Sequence, residues 1–123
     1  MIDIWPVLFM INLALLFVHE MDAVKNREWR MFAMLKNMAD EKACRLFILL
    51  HIPLYVAILL ILMSPVQQIL FYIIDIFLIF HAIIHLGFRN HKNNAFTSML
   101  SQGLIYSMGA ISAVHLAGIS LTA

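Results

Sequence analysis

Residues 4–23 read Ile-Trp-Pro-Val-Leu-Phe-Met-Ile-Asn-Leu-Ala-Leu-Leu-Phe-Val-His-Glu-Met-Asp-Ala. The apolar part of this stretch has one amide, Asn12, and ends at Val18. That is too short to cross a bilayer, which takes ~20 residues of helix. A spanning helix must therefore continue to about Val24. It then carries His19, Glu20 and Asp22 inside the bilayer's edge, where ionisable groups are costly and need partners. Pro6 falls in the first turn, where its missing N–H matters least. No basic segment precedes the run and no small-residue cleavage site follows it, so a retained span is expected, not a signal peptide.

The rest of the chain supports a membrane setting. Of 123 residues, 63% are hydrophobic and only 12% charged, with a mean hydropathy of +0.92. A soluble domain carries about 25% charged residues, so the lipid bilayer is the expected partner. The single cysteine, Cys44, excludes an intramolecular disulfide and a cysteine-rich zinc site. A net charge of +1 provides no field for nucleic acid.

Four spans are expected, at about 4–24, 44–63, 65–88 and 95–121, forming an all-α integral membrane four-helix bundle in a single domain. Between the first two, Trp29, Phe32 and Leu35 alternate with charges at helical spacing, which predicts a short amphipathic helix in the headgroup layer. Pro53 predicts a kink near His51. Ser64 and Pro65 read as the cap and first residue of the third span, with Gln67 as capping partner. All eight Lys and Arg lie in the stretches that follow spans one and three. The positive-inside rule then puts both charged loops in the cytoplasm and both termini outside, and a cytoplasmic (inner) membrane is the expected location.

Helix rise sets the depth of each ionisable group. From the cytoplasmic ends, His19 lies ~7 Å in, His51 ~10 Å, His81 ~10 Å and His85 ~5 Å. Four histidines on three helices thus share a layer with Glu20 and Asp22. His81 and His85, at i and i+4, lie on one face. His19 and Asp22 face roughly together, while Glu20 points about 100° away. Imidazole and carboxylate suit a divalent transition metal such as zinc or iron. His19, Asp22, His51, His81 and His85 are the candidate ligands, and Glu20 is the candidate catalytic base. Haem between two histidines is a further option.

Other polar groups lie elsewhere. Asn12 and Asp75 lie ~18–20 Å from the cytoplasmic end and are expected to clamp spans one and three together. His115, ~30 Å along span four, belongs to the outer side, bonding Ser112. His91 falls in the polar turn 89–94 and is expected to be solvated. Tyr55 and Tyr72 are possible hydrogen-bond partners. Gly109, Ala113 and Ala117 recur at spacing four, which suits close packing within the bundle or, second, a homodimer seam.

His-Glu-Met-Asp-Ala at 19–23, Arg-Glu-Trp-Arg-Met-Phe at 27–32 and Leu-Leu-His-Ile-Pro at 49–53 resemble a small uncharacterised bacterial family of four-span membrane proteins, a domain of unknown function. The second half matches it in having a histidine-bearing third span. The resemblance implies a membrane bundle and no particular chemistry. A looser likeness is to membrane proteins with a His-x-x-Glu-Glu motif, from which His19-Glu20-Met21-Asp22 departs in lacking the second acid pair. Position 23 is Ala23, so the zinc-protease pattern H-E-x-x-H is absent.

Four functions follow as expectations: a membrane metalloprotein acting on a lipid-like or apolar substrate; a metal-free acid/base enzyme acting on lipids, using Glu20 and Asp22 with a histidine; a haem-binding electron carrier; and a non-enzymatic accessory subunit.

Overall fold

The computed structural model describes residues 3–122. Its helices are α1 (Ile4–Lys25), α2 (Asp40–Leu62), α3 (Gln67–Phe88) and α4 (Met99–Thr122), and no strand occurs among the described residues. Each helix is long and apolar enough to cross a membrane. At 1.5 Å per residue they are ~33–36 Å long, about the thickness of a hydrocarbon core.

Local chemistry sets the ends. The Asp3 side chain accepts from the Trp5 N–H at 3.2 Å and caps α1. At the other end the Asn26 N–H donates to the Asp22 carbonyl at 2.9 Å. Asp40 and Glu41 occupy the first turn of α2, where the helix dipole favours acids. That helix starts four residues earlier than the apolar run suggests and continues through Pro53. The third helix starts two residues later than expected. The Ser64 hydroxyl donates to the Ile61 carbonyl and accepts from the Val66 N–H, so Ser64 and Pro65 form the turn itself. The fourth starts at Met99, because the Asn94 side chain accepts from the Phe96 N–H and holds residues 94–96 in a turn.

Helix α4 packs along both α1 and α3, whereas α2 rests lightly on α3 at the side of the bundle. Only Ala43, Phe47 and Ile58 of α2 are buried. In lipid there is little hydrophobic drive between helices, so close van der Waals contact decides their packing. Gly109 meets α3 so closely that an added Cβ would stand 2.7 Å from the Cβ of Ala82. Gly118 lies beneath the Trp5 indole. The inward stripe of α4 includes Met108, Gly109, Ser112, His115 and Gly118. Ala113 and Ala117, expected to share the Gly109 face, point outward instead, because spacing four drifts around a helix of 3.6 residues per turn.

The expected amphipathic helix after α1 is replaced by one 3-10 turn, Glu28–Arg30, within an irregular loop. The reason is a tie to α2: Asp40 accepts from the Trp29 indole N–H at 3.0 Å and from Arg30 Nε at 2.9 Å. Trp29 and Leu35 are thereby buried against Phe47 and Phe96 instead of facing headgroups. The Asn93 amide donates to the Arg30 carbonyl at 3.2 Å, which joins the two charged loops. These loops share one end of the bundle, called here the charged end.

Candidate metal centre

Two helices and the charged loop converge just inside the charged end. His19 comes from α1, His81 and His85 from α3, and Glu28 from the 3-10 turn. One ligand atom from each of these four side chains lies within 4.8 Å of the others. His19 Nε2 and His81 Nε2 are 2.9 Å apart. His85 Nε2 is 3.3 Å from Glu28 Oε1. Two nitrogens sharing a tetrahedral ion at ~2.0–2.1 Å stand roughly 3.3 Å apart, so these two pairs are near chelating distance, while the group as a whole would draw in from its 4.8 Å spread.

The surroundings hold the rings in place. His19 and His81 meet edge to face with centroids 4.9 Å apart, and His81 and His85 at 4.6 Å. That spacing leaves no room for a porphyrin plane between them. Phe96 stands against His85 at 4.8 Å and against His19 at 5.7 Å. The i, i+4 relation of His81 and His85 puts both rings on one side of α3. A cavity of about 390 Å³ between α2 and α3 opens onto the cluster and is lined by Glu20, Glu28, Phe47, His51, His81 and His85.

The other sequence candidates take different places. His51 lines the same cavity but bonds elsewhere: its Nε2 is 2.8 Å from Glu20 Oε2, and its Nδ1 is 2.7 Å from the Phe47 carbonyl. Asp22 is buried beside the cluster without contributing a ligand atom to it. Its Oδ2 lacks a hydrogen-bond partner, and so does the buried His19 Nδ1. The two residues lie at i and i+3 on one face of α1, so a small side-chain rotation would pair them. Sequence reasoning does not single out Glu28, because its segment reads as an amphipathic helix in the headgroup layer with its charges toward water. The available signal was the segment Arg-Glu-Trp-Arg-Met-Phe, where an acid adjoins an aromatic that must be buried.

The deep polar groups also pair differently than expected. His115 Nδ1 lies 2.6 Å from Asp75 Oδ2, with both side chains fully buried. Asn12 donates to the Ser112 hydroxyl at 2.7 Å and to the Met108 carbonyl at 3.3 Å, and does not bond Asp75. The clamp therefore joins α3 to α4 and α1 to α4, as α4 lies between the other two. His91 is exposed, and its ring accepts from the Asn93 N–H within its own turn.

With the histidines and Glu28 set at one end of a four-span bundle, the family match covers the whole arrangement. The chain belongs to the DUF6713 family. This family of unknown function matches residues 5–121, which include every candidate ligand and all of the four helices but the first residue of α1 and the last of α4. No curated protein and no solved structure matches this DUF6713 chain.

Proposed function

We propose that the protein is a membrane metalloprotein whose centre, built from His19, His81, His85 and Glu28, holds one divalent zinc or iron ion near the cytoplasmic face of the inner membrane. The observation that carries this reading is the convergence of four buried or half-buried ligand atoms within 4.8 Å. Three imidazoles and a carboxylate suit zinc or ferrous iron, and cysteine-rich softness is not needed. Asp22 is placed to accept from His19 Nδ1–H, the usual support of a metal-binding histidine. All eight Lys and Arg flank this end, which favours a cytoplasmic position.

The cavity lies between α2 and α3, both apolar enough to span a membrane, which favours a lipid or another apolar molecule arriving through the bilayer as substrate. A bound ion would act as a Lewis acid on a substrate oxygen. Glu20, held by His51, lines the same cavity, which supports it as the group that would take up a proton. The test is elemental analysis of protein purified without chelator. About one ion per chain is expected, lost in His81→Ala and retained in His91→Ala. Metal-free protein from every preparation would overturn the reading.

The close Glu20–His51 contact favours a second reading, metal-free acid/base chemistry on a lipid. In that case activity survives His81→Ala and fails in His51→Ala.

A further inference from the structure

Helix α2 also leaves space on the side of α1. A groove of about 420 Å³ between them is lined by Phe17, Ile48 and Ile52, with Glu20, His51 and Tyr55 as its polar members. Both of its walls belong to helices apolar enough to span a membrane, and in hydrocarbon a polar atom within it would find little water to bond.

The hydrogen-bond pattern shows which atoms still need partners. A carbonyl only accepts, so His51 Nδ1 carries the hydrogen that bonds Phe47 O. His51 Nε2 occupies Glu20 Oε2. Among the described residues, Glu20 Oε1 and the Tyr55 hydroxyl have no hydrogen-bond partner. Glu20 and Tyr55 both line the groove on either side of His51, whose ring lies 5.7 Å from the Tyr55 ring. Glu20 Oε1 needs a donor, and Tyr55 O–H has a hydrogen to give. A hydroxyl supplies both roles; an ester or ether oxygen only accepts, and an ammonium only donates.

Depth fixes how such a ligand lies. Glu20 is five residues before Lys25, so it sits ~8 Å inside the charged end, just below the headgroups. Phe17 and Tyr55 continue the groove toward the bilayer midplane. A lipid in the leaflet at the charged end thus meets the polar atoms with its head and the apolar wall with its chain.

We propose that the groove between α1 and α2 binds a long-chain lipid alcohol, its hydroxyl between Glu20 and Tyr55 and its chain against Phe17, Ile48 and Ile52. This names the substrate class of the bilayer-fed centre and rests on that reading, since Glu20 and His51 line both the groove and the cavity at the metal ligands.

The experiment uses the full chain in lipid nanodiscs with a long-chain alcohol carrying a photoreactive diazirine, and with the methyl ether of the same probe. The alcohol should label Phe17, Ile48 and Ile52, with the ether about tenfold weaker, the effect of one lost hydrogen bond. Tyr55→Phe should weaken alcohol labelling by a similar factor, and Ile52→Trp should abolish it by filling the groove. Equal labelling by alcohol and ether overturns the proposal, as does labelling spread evenly onto outward residues of α3 such as Ile73 and Ile76. Metal content is measured on the same samples. Groove labelling without metal would overturn the metal centre and leave the groove; metal without groove labelling would overturn the groove and leave the metal centre.

Discussion

His85 Nε2 lies 3.3 Å from Glu28 Oε1, with both side chains almost wholly buried. This contact closes a loop residue onto a membrane helix and completes a group of ligands that α1 and α3 alone leave one short. It depends on Arg27, whose φ of 54° is the left-handed conformation that side chains resist. That reversal turns Glu28 and Trp29 back into the bundle, and Asp40 holds it through Arg27, Trp29 and Arg30.

Glu28→Gln should therefore weaken metal binding more than a loss of supporting hydrogen bonds does. Removing a partner behind a ligand costs about 10–100-fold in metal affinity. Glu28→Gln should exceed that range, and Asp22→Asn should fall within it. Competition with a chelator of known affinity, on chains shown to be folded, measures both. Equal affinity of Glu28→Gln and the parent chain would remove Glu28 from the centre.

His51→Ala should leave the ion in place. Its ring nitrogens are engaged by Glu20 and by Phe47 O, and neither points to the cluster. The loss strips Glu20 of its partner, so stability should fall by about 1–3 kcal/mol, the cost of an unsatisfied polar group. Metal stoichiometry and thermal unfolding of the variant read the two effects separately. Loss of the ion without loss of stability would make His51 a ligand after all.

The helices were legible in the sequence because crossing a bilayer demands long apolar runs, and the chain has four. Depth was legible too, since helix rise alone places His19, His51, His81 and His85 at similar levels. Direction around the helix axis was not. His51 shares the layer but faces Glu20, and Asp75 faces His115 on α4 instead of Asn12 on α1. Those choices depend on which helix occupies the middle, and Gly109 and Gly118 settle that by letting α4 approach both neighbours. Glu28 was hidden for another reason: its path follows from a left-handed residue and three side-chain ties, none of which leaves a periodic trace.

The Asp75–His115 pair should behave as a structural clamp independent of the metal. Both groups are fully buried, so removing one strands the other. His115→Ala should cost about 1–3 kcal/mol, the cost of a buried polar group left without its hydrogen-bond partner. Replacing both with leucine should recover much of that loss, because no polar group is then left unpaired. Unfolding of both variants in detergent, with metal content recorded, checks the cycle. A double variant as weak as the single one would show that the pair does more than satisfy itself.

The close approach of α4 predicts a graded response to added methyl groups. At Gly118 a new Cβ would meet the Trp5 ring at 2.1 Å, and at Gly109 it would meet Ala82 at 2.7 Å. At Gly103 nothing lies within 4 Å. Gly118→Ala should thus cost about 1–3 kcal/mol by overpacking. The order of stability should be Gly103→Ala above Gly109→Ala above Gly118→Ala, with Gly103→Ala gaining up to about 1 kcal/mol from helix propensity. The atoms that a Cβ at Gly118 would meet first all belong to the Trp5 indole. Trp5→Leu should therefore shrink the cost of Gly118→Ala, as measured by unfolding of the single and double variants. An undiminished cost in the Trp5→Leu chain would mean that the helix backbones, and not the indole, set the distance between α1 and α4.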